Sequence, residues 1–439
     1  MRSDKFIHQA TAGDIPGEVL HMARRCLVDT LAVWAAGTTT EASRIARDHA
    51  AKRYPGALRM PFDGRRVNPV GFAFAGAATI DALDAHDGHQ LCKGHASVAL
   101  VPALLAELGG ANCTMDELLC HLVVGHEIAI RAGLSLHATS PDYHSSGAWN
   151  ALGCAAIACR LRGLSQGQTL QALGIAEYYA PRAPMMRCIE HPSMVKDSSS
   201  WGALAGISAA DLAEDGFTGA PALIVEAPEV EDIWSDLGSS WRILESNFKV
   251  YPVCRWAHPP VEAILSLVKR ENLSPDKITE ITVSTFHEAT KLATRRPDNS
   301  DTAQYSLRLA VALALRSGTI LPAHLLPESY DTPEIWHLVD LVEFEEDEDC
   351  NAAFPGERFA YVTLKLIDGR VLRSEIKAAR GNHDAPLSDH DLLEKLYCFA
   401  GPVLSDNARR GIADILSDPD CGLSPSELLT VLGMPQTDE

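Results

Sequence analysis

The chain has 439 residues, of which 46% are hydrophobic and 22% charged, with a formal net charge of −20. That much apolar material excludes disorder as the main state, and the length suits one large domain carrying a smaller one. The balance of 38 Lys+Arg against 58 Asp+Glu argues against nucleic acid or an anionic membrane as partner, because phosphate binding needs excess cations. A small anionic substrate responds to local charge and stays open. The eleven cysteines are irregularly spaced with no Cys-x-x-Cys, which points to reduced thiols and away from a disulfide framework or structural zinc. The opening MRSDKFIHQATAGD has no signal-type apolar stretch, and no uncharged apolar run is long enough to span a bilayer. A soluble cytoplasmic protein is expected.

In chain order, residues 16–37 carry Val19, Met22, Ala23, Cys26, Leu27, Leu31 and Trp34 at helical spacing, with Asp14 and Pro16 before and Gly37 at the stop. Stretches 70–85, 97–109, 115–137 and 147–164 are rich in Ala, Leu and Gly and several are apolar all round, the pattern of buried helices. Past residue 250 the pattern changes. Residues 278–286 (ITEITVSTF) alternate as a strand, and 359–376 read as two strands joined by a two-residue Asp368-Gly369 turn. Residues 303–316 between them read as one helix, and the acidic run 343–349 as a solvated loop. Helical patterning returns over 392–433, after the caps Ser388 and Asp389. The predicted architecture is mainly α with an α+β part: a helical domain from 1–258 and 396–439, and an α+β domain inserted at 259–395.

The densest polar cluster is IDALDAHDGHQLCKGHAS at 80–97, between two apolar stretches. Ionisable groups beside buried helices are costly unless paired or used. His86-Asp87 looks like the dyad of HD-type metal-dependent phosphohydrolases, which need an upstream His; His21 and His49 are the candidates. A two-residue match arises easily by chance.

Six ordered blocks carry a stronger signal: DTLAVWAAG at 29–37, LDAHDGHQLCKGHASVALVPALLA at 83–106, HSSGAWNALGCAAIACRLRGLS at 144–165, MVKDSSSWGALAGISAADLAEDGFTG at 194–219, FKVYPVCRWAHPPVEAI at 248–264 and AQYSLRLAVALAL at 303–315. Together they resemble the MmgE/PrpD family of 2-methylcitrate dehydratase, cis-aconitate decarboxylase and iminodisuccinate epimerase. The resemblance implies the same split architecture, a homodimer, and a cofactor-independent, metal-free enzyme acting on a small di- or tricarboxylate. It places Asp84, His95, His144, Lys196 and Tyr305 in the catalytic set, with Lys249, His258, Asp87 and His89 as substrate-binding residues. The family's Asp-x-Asp-Asp-Thr is here Asp84-Ala85-His86-Asp87-Gly88, so one carboxylate and one hydroxyl are replaced where substrate is expected.

Such chemistry moves a proton at a carbon next to a carboxylate, so fixed cations and donors must meet the developing charge. His95 is the leading acid/base, since Gly94 permits close approach. Lys196 and Lys249 would hold carboxylates, His144 and His258 would serve as further acid/base groups or donors, Asp84 and Asp87 would orient their neighbours, and Tyr305 would donate its phenol. Without the resemblance, Lys196 and Lys249 read as surface lysines, Tyr305 as a core aromatic and His144 as a cap. Cys254 lacks a local base and reads as packing. A dehydratase-like lyase leads; an epimerase, a decarboxylase, the phosphohydrolase and a non-catalytic carboxylate binder are the alternatives.

Overall fold

The computed structural model describes residues 2–109, 113–418 and 423–433; Cys421 and parts of the predicted C-terminal helical stretch lie outside them. The protein is mainly α with an α+β part.

Apolar faces at helical spacing assemble a first hydrophobic core from residues 6–248 together with 387–432. Helix Gly17–Gly37 is buried along most of its length and packs against Asp389–Ala400 from the far end of the chain. Helix Pro69–Asp81 starts where the Asn68 side chain accepts from Gly71 N, with Pro at its first position. Gly76 leaves room for neighbouring side chains to pack directly on the helix: a Cβ there would sit 2.6 Å from the Trp34 ring and 2.7 Å from the Pro102 ring. Helix Met115–Thr139 is long and apolar enough to cross a membrane, yet it is buried in this core and carries Glu127 and Arg131 in its middle.

A second core comes from residues 185–189 and 251–366. Its sheet runs Val342–Glu346, Ile278–Thr285, Phe359–Leu366, Val371–Arg373, with Lys377–Ala378 also on Phe359–Leu366. The first pair is parallel, with Val283 opposite Phe344, and the rest antiparallel, with Val283 opposite Val362. Helices His258–Glu271 and Leu307–Ser317 pack on each other, and the first also on the sheet.

Three local expectations change. Glu343 to Glu346 are not loop: they form an exposed edge strand, where Arg295 and Arg308 pair with Glu343, and Asp347 caps the next helix. Charges on an edge keep it from pairing with another chain. The Asp368-Gly369 hairpin has a three-residue loop, 367–369, closed by Leu366 N donating to Arg370 O. Only Gly369 takes positive φ there, +85°, whereas a two-residue type I′ turn needs two such residues. The 303–316 helix is broken: Ser300–Ala303 ends, and Leu307–Ser317 restarts with Ser306 as N-cap. Gln304 and Tyr305 fall in that break and face the 82–84 turn and the cavity described next.

Candidate active site

Between the two cores lies a cavity of about 460 Å³, counted with its open mouth, lined by Asp84, His95, Asp197, Lys249, Tyr305 and Arg358 among others. Its floor is the turn after helix Pro69–Asp81. There Asp84 N donates to Gln304 Oε1 at 2.7 Å, and Gln304 Nε2 donates to Ala82 O at 3.0 Å. Lys249 Nζ donates to the Asp84 carboxylate and, at 3.2 Å, to its carbonyl. Burial opposes charge on Asp84, but Lys249, with His95 and His86, outweighs it and holds the carboxyl well below its usual range.

His95 is placed by Gly94, where a Cβ would lie 2.3 Å from Ser146 Oγ. The His95 amide donates to that hydroxyl at 2.9 Å. Its Nδ1 lies 2.5 Å from the Asp87 carbonyl, so Nδ1 carries the proton and Nε2 keeps its lone pair. Nε2 sits 3.7 Å from both Asp84 Oδ1 and Asp197 Oδ2. Burial and the nearby Lys249 keep the imidazole neutral, well below its ordinary range. Asp197 accepts from Ser146 Oγ at 2.5 Å, and burial pushes the carboxyls of Asp197 and Asp81 upward, with Asp81 adding to the shift on Asp197 and Asp84 to that on Asp81.

Lys196 and Ser198 take φ of +46° and +57°, costly backbone for side chains with a Cβ. The result is a buried Lys196 whose Nζ donates to Gln304 Oε1 at 3.0 Å, pairs with Asp301 at 3.2 Å and lies 5.2 Å over the Tyr305 ring. Burial raises the Tyr305 phenol well above its ordinary range, so it stays a donor.

The structure therefore brings Asp84, His89, His95, Lys249 and Tyr305 to one cavity, with Lys196 joined to it through Gln304. His89 is committed to Glu245, 3.1 Å from its Nε2. Three expected residues lie behind or beside the lining. The Asp87 carboxylate turns away and accepts from Ser97 Oγ at 2.9 Å, leaving its carbonyl to hold His95. His258 is fully buried, 3.3 Å from Val253 O and packed on Tyr251. His144 stacks 6.4 Å from His137, and its neighbour Tyr143 takes the cavity position. Cys254 lines the cavity, but burial and Asp84 push its thiol up to about 12, so it is no thiolate.

His86 and Asp87 do not converge on one point. The His86 ring packs 4.4 Å from the His95 ring, His21 pairs with Asp389 and His49 packs on Tyr54 and Phe74. Among the described residues, the one compact group of metal-ligating types is Cys26, Asp87 and His126. The Ser97 hydroxyl bonds both Asp87 and His126, behind the cavity wall.

Asp197, Gln304 and Arg358 are missing from the sequence reading. Asp197 and Gln304 adjoin Lys196 and Tyr305, so adjacency was their only signal; Arg358 had none.

Residues 4–231 match the MmgE/PrpD N-terminal domain and residues 251–418 the MmgE/PrpD C-terminal domain. The chain belongs to the MmgE/PrpD family. The family's C-terminal model thus takes in helices Asp389–Ala400 and Asp406–Ser417, which pack on the first core. Relatives include the cis-aconitate decarboxylase of Aspergillus terreus, 25% identical over 96% of this chain and 93% of that protein. The human cis-aconitate decarboxylase is 26% identical over 99% of this chain and 94% of its own length. A cis-aconitate decarboxylase-like protein of Aspergillus oryzae is 24% identical over 97% and 95%.

Proposed function

We propose that this family member is a lyase acting on a small di- or tricarboxylate, with His95 Nε2 taking or returning the proton on the carbon next to a carboxylate. The observation that carries the reading is the tautomer of His95. Its Nδ1 is engaged by the Asp87 carbonyl, and the free Nε2 faces a cavity that also holds Lys249 and Tyr305. In dehydration the base removes the α-proton, the C–O bond breaks, and an acid protonates the departing hydroxyl as water. Tyr305, held protonated, supplies that acid, and Lys249 and Lys196 meet the charge growing on the carboxylate side. These ammonium groups do what a metal would otherwise do, so the proposal is of a metal-free and cofactor-free reaction.

Decarboxylation is the second reading, favoured by the names of the relatives. There the bond to one carboxylate breaks, its electrons stay on carbon, carbon dioxide leaves, and a proton is delivered to that carbon. Incubation with citrate, methylcitrate, cis-aconitate and iminodisuccinate in D2O, followed by NMR and carbon dioxide detection, separates the two. Solvent deuterium at the α-carbon that His95→Gln abolishes is expected. No exchange and no product with any of these acids would sink the reading.

A cytoplasmic homodimer completes the proposal. Exposed Tyr179 and Trp201 line one surface depression on helices Gln166–Tyr179 and Ser199–Glu214, an apolar face suited to a second copy. Sedimentation of wild type against Trp201→Glu tests it, with a monomeric wild type as the opposing result.

A further inference from the structure

The cations around the cavity fall into two sets. Lys196 and Lys249 are already paired, with Asp301 and Asp84. Lys93, Arg255 and Arg358 line the same cavity and form no ion pair among the described residues. We infer that Lys93 and Arg358 are a clamp for a second substrate carboxylate, the one remote from the reacting carbon; this rests on the lyase reading above.

Arg358 is 7% exposed. One arm donates to Gln90 O at 3.1 Å, while its Nε has no partner. A buried guanidinium without a counter-ion is costly, and a carboxylate is the ligand whose geometry matches its fork. Lys93 sits on a residue with φ of +52°. Its carbonyl accepts from the Tyr143 hydroxyl, and its Nζ lies 5.3 Å over the Tyr143 ring. Tyr143 thus fixes the loop that presents the ammonium. Lys93 also feels its neighbour: burial and Arg358 both lower its pKa.

The two loops come from different cores yet are tied together. Gln90, in the loop with Lys93, donates to Gly356 O and accepts from Arg358. A carboxylate held by both cations would add a third link at that junction. Arg255 adds positive potential nearby, but its donors are used by Phe248 O and Asn382. The clamp makes the preferred ligand one with at least two carboxylates, one beside Lys249 next to the carbon that His95 addresses and one for Lys93 and Arg358.

Calorimetric titration of the full chain with citrate, and with cis-aconitate as a second probe, tests the clamp. Wild type binds. Lys93→Met weakens citrate about tenfold and Arg358→Gln about a hundredfold, in line with the loss of charged hydrogen bonds; Arg358→Lys falls between, and the surface variant Lys52→Met matches wild type. Turnover by the clamp variants shows raised KM with kcat within about threefold, since the clamped carboxylate keeps its charge throughout. Lys93 is only half-buried, so Lys93→Met carries the test if Arg358→Gln does not fold. Citrate affinity within twofold of wild type in folded Lys93→Met overturns the clamp and leaves the lyase reading standing. A wild type that binds neither acid overturns the clamp, and the D2O incubation with all four acids then decides the lyase reading separately.

Discussion

Buried charge occurs in two regions of this protein with opposite character. In helix Met115–Thr139, Arg131 Nε reaches Glu127 at 3.2 Å, and its other nitrogens donate to Ile233 O, Asp236 and Ser240 O. Glu127 in turn accepts from Ile243 N at 3.0 Å. The donors in that pair are used inside the protein, and they anchor the segment 231–245 to the helix. At the cavity, by contrast, Arg358 keeps an orphan Nε and Asp197 an orphan oxygen, and both residues line open space. Burial of ionisable groups is common to both regions. Orphan atoms occur elsewhere too, Arg242 Nε in the first region among them; what marks the second as a site is unmatched capacity on residues that line a cavity, where a ligand can supply the missing partner.

Substitutions can sharpen that contrast. The largest effect is expected from His95→Gln, a loss of about a thousandfold in kcat, within the range for removing a general base, with melting temperature nearly unchanged; kcat within tenfold of wild type would break the assignment. Arg131→Met should do the reverse. It leaves Glu127 buried and unpaired, costing about 3–5 kcal/mol of stability, with kcat per folded molecule unchanged; urea unfolding and active-site titration read the two together. Lys249→Met should lower kcat/KM about a hundredfold, since it removes a charge-assisted partner from Asp84 and from the developing anion. Gln304→Met, two bonds removed from the chemistry, should cost about tenfold through the positions of Asp84 and Lys196, visible mainly in kcat.

The smallest effect is a pH dependence. Burial raises the carboxyls of Asp87 and Glu127 to about 7, and Asp81 and Asp197 shift the same way. An acid with a raised folded pKa holds a proton that the unfolded chain gives up above about pH 4, so stability falls as pH rises through the folded value. His86 and His95 are shifted down by burial and Lys249 and act in the opposite sense, but only below their unfolded value near 6.5. Above pH 6.5 the histidines drop out and the carboxyls lead, joined toward pH 8.5 by buried thiols such as Cys154 and Cys188, which burial also shifts upward and which therefore act in the same direction. The melting temperature should fall by a few degrees there, and Asp197→Asn should flatten the slope. A melting temperature that stays flat over that window would show that these carboxyls are already ionised in the folded state.

How much of this was legible beforehand follows from the range of each interaction. Helices such as Gly17–Gly37 and Ser97–Leu108 were readable because their apolar spacing and end residues are local. So was the strand Ile278–Thr285. The loop length after Phe359–Leu366 was misread because one residue's φ, not the Asp-Gly pair, decides the turn. Asp84, His95, Lys249 and Tyr305 were named from motifs. Their neighbours Asp197, Gln304 and Arg358 were not, since nothing in those residues marks them apart from where they fold.

The sequence by itself determined the element types, the −20 charge, the acid/base chemistry on offer and, through its ordered blocks, the family. Only the tertiary structure decided which charges are already satisfied. The contact of Asp84 with Gln304 spans 220 residues, and that of Lys249 with Asp84 spans 165. Whether a buried lysine is spent on a neighbour or left for a ligand depends on partners that far along the chain, which meet only when the two cores pack.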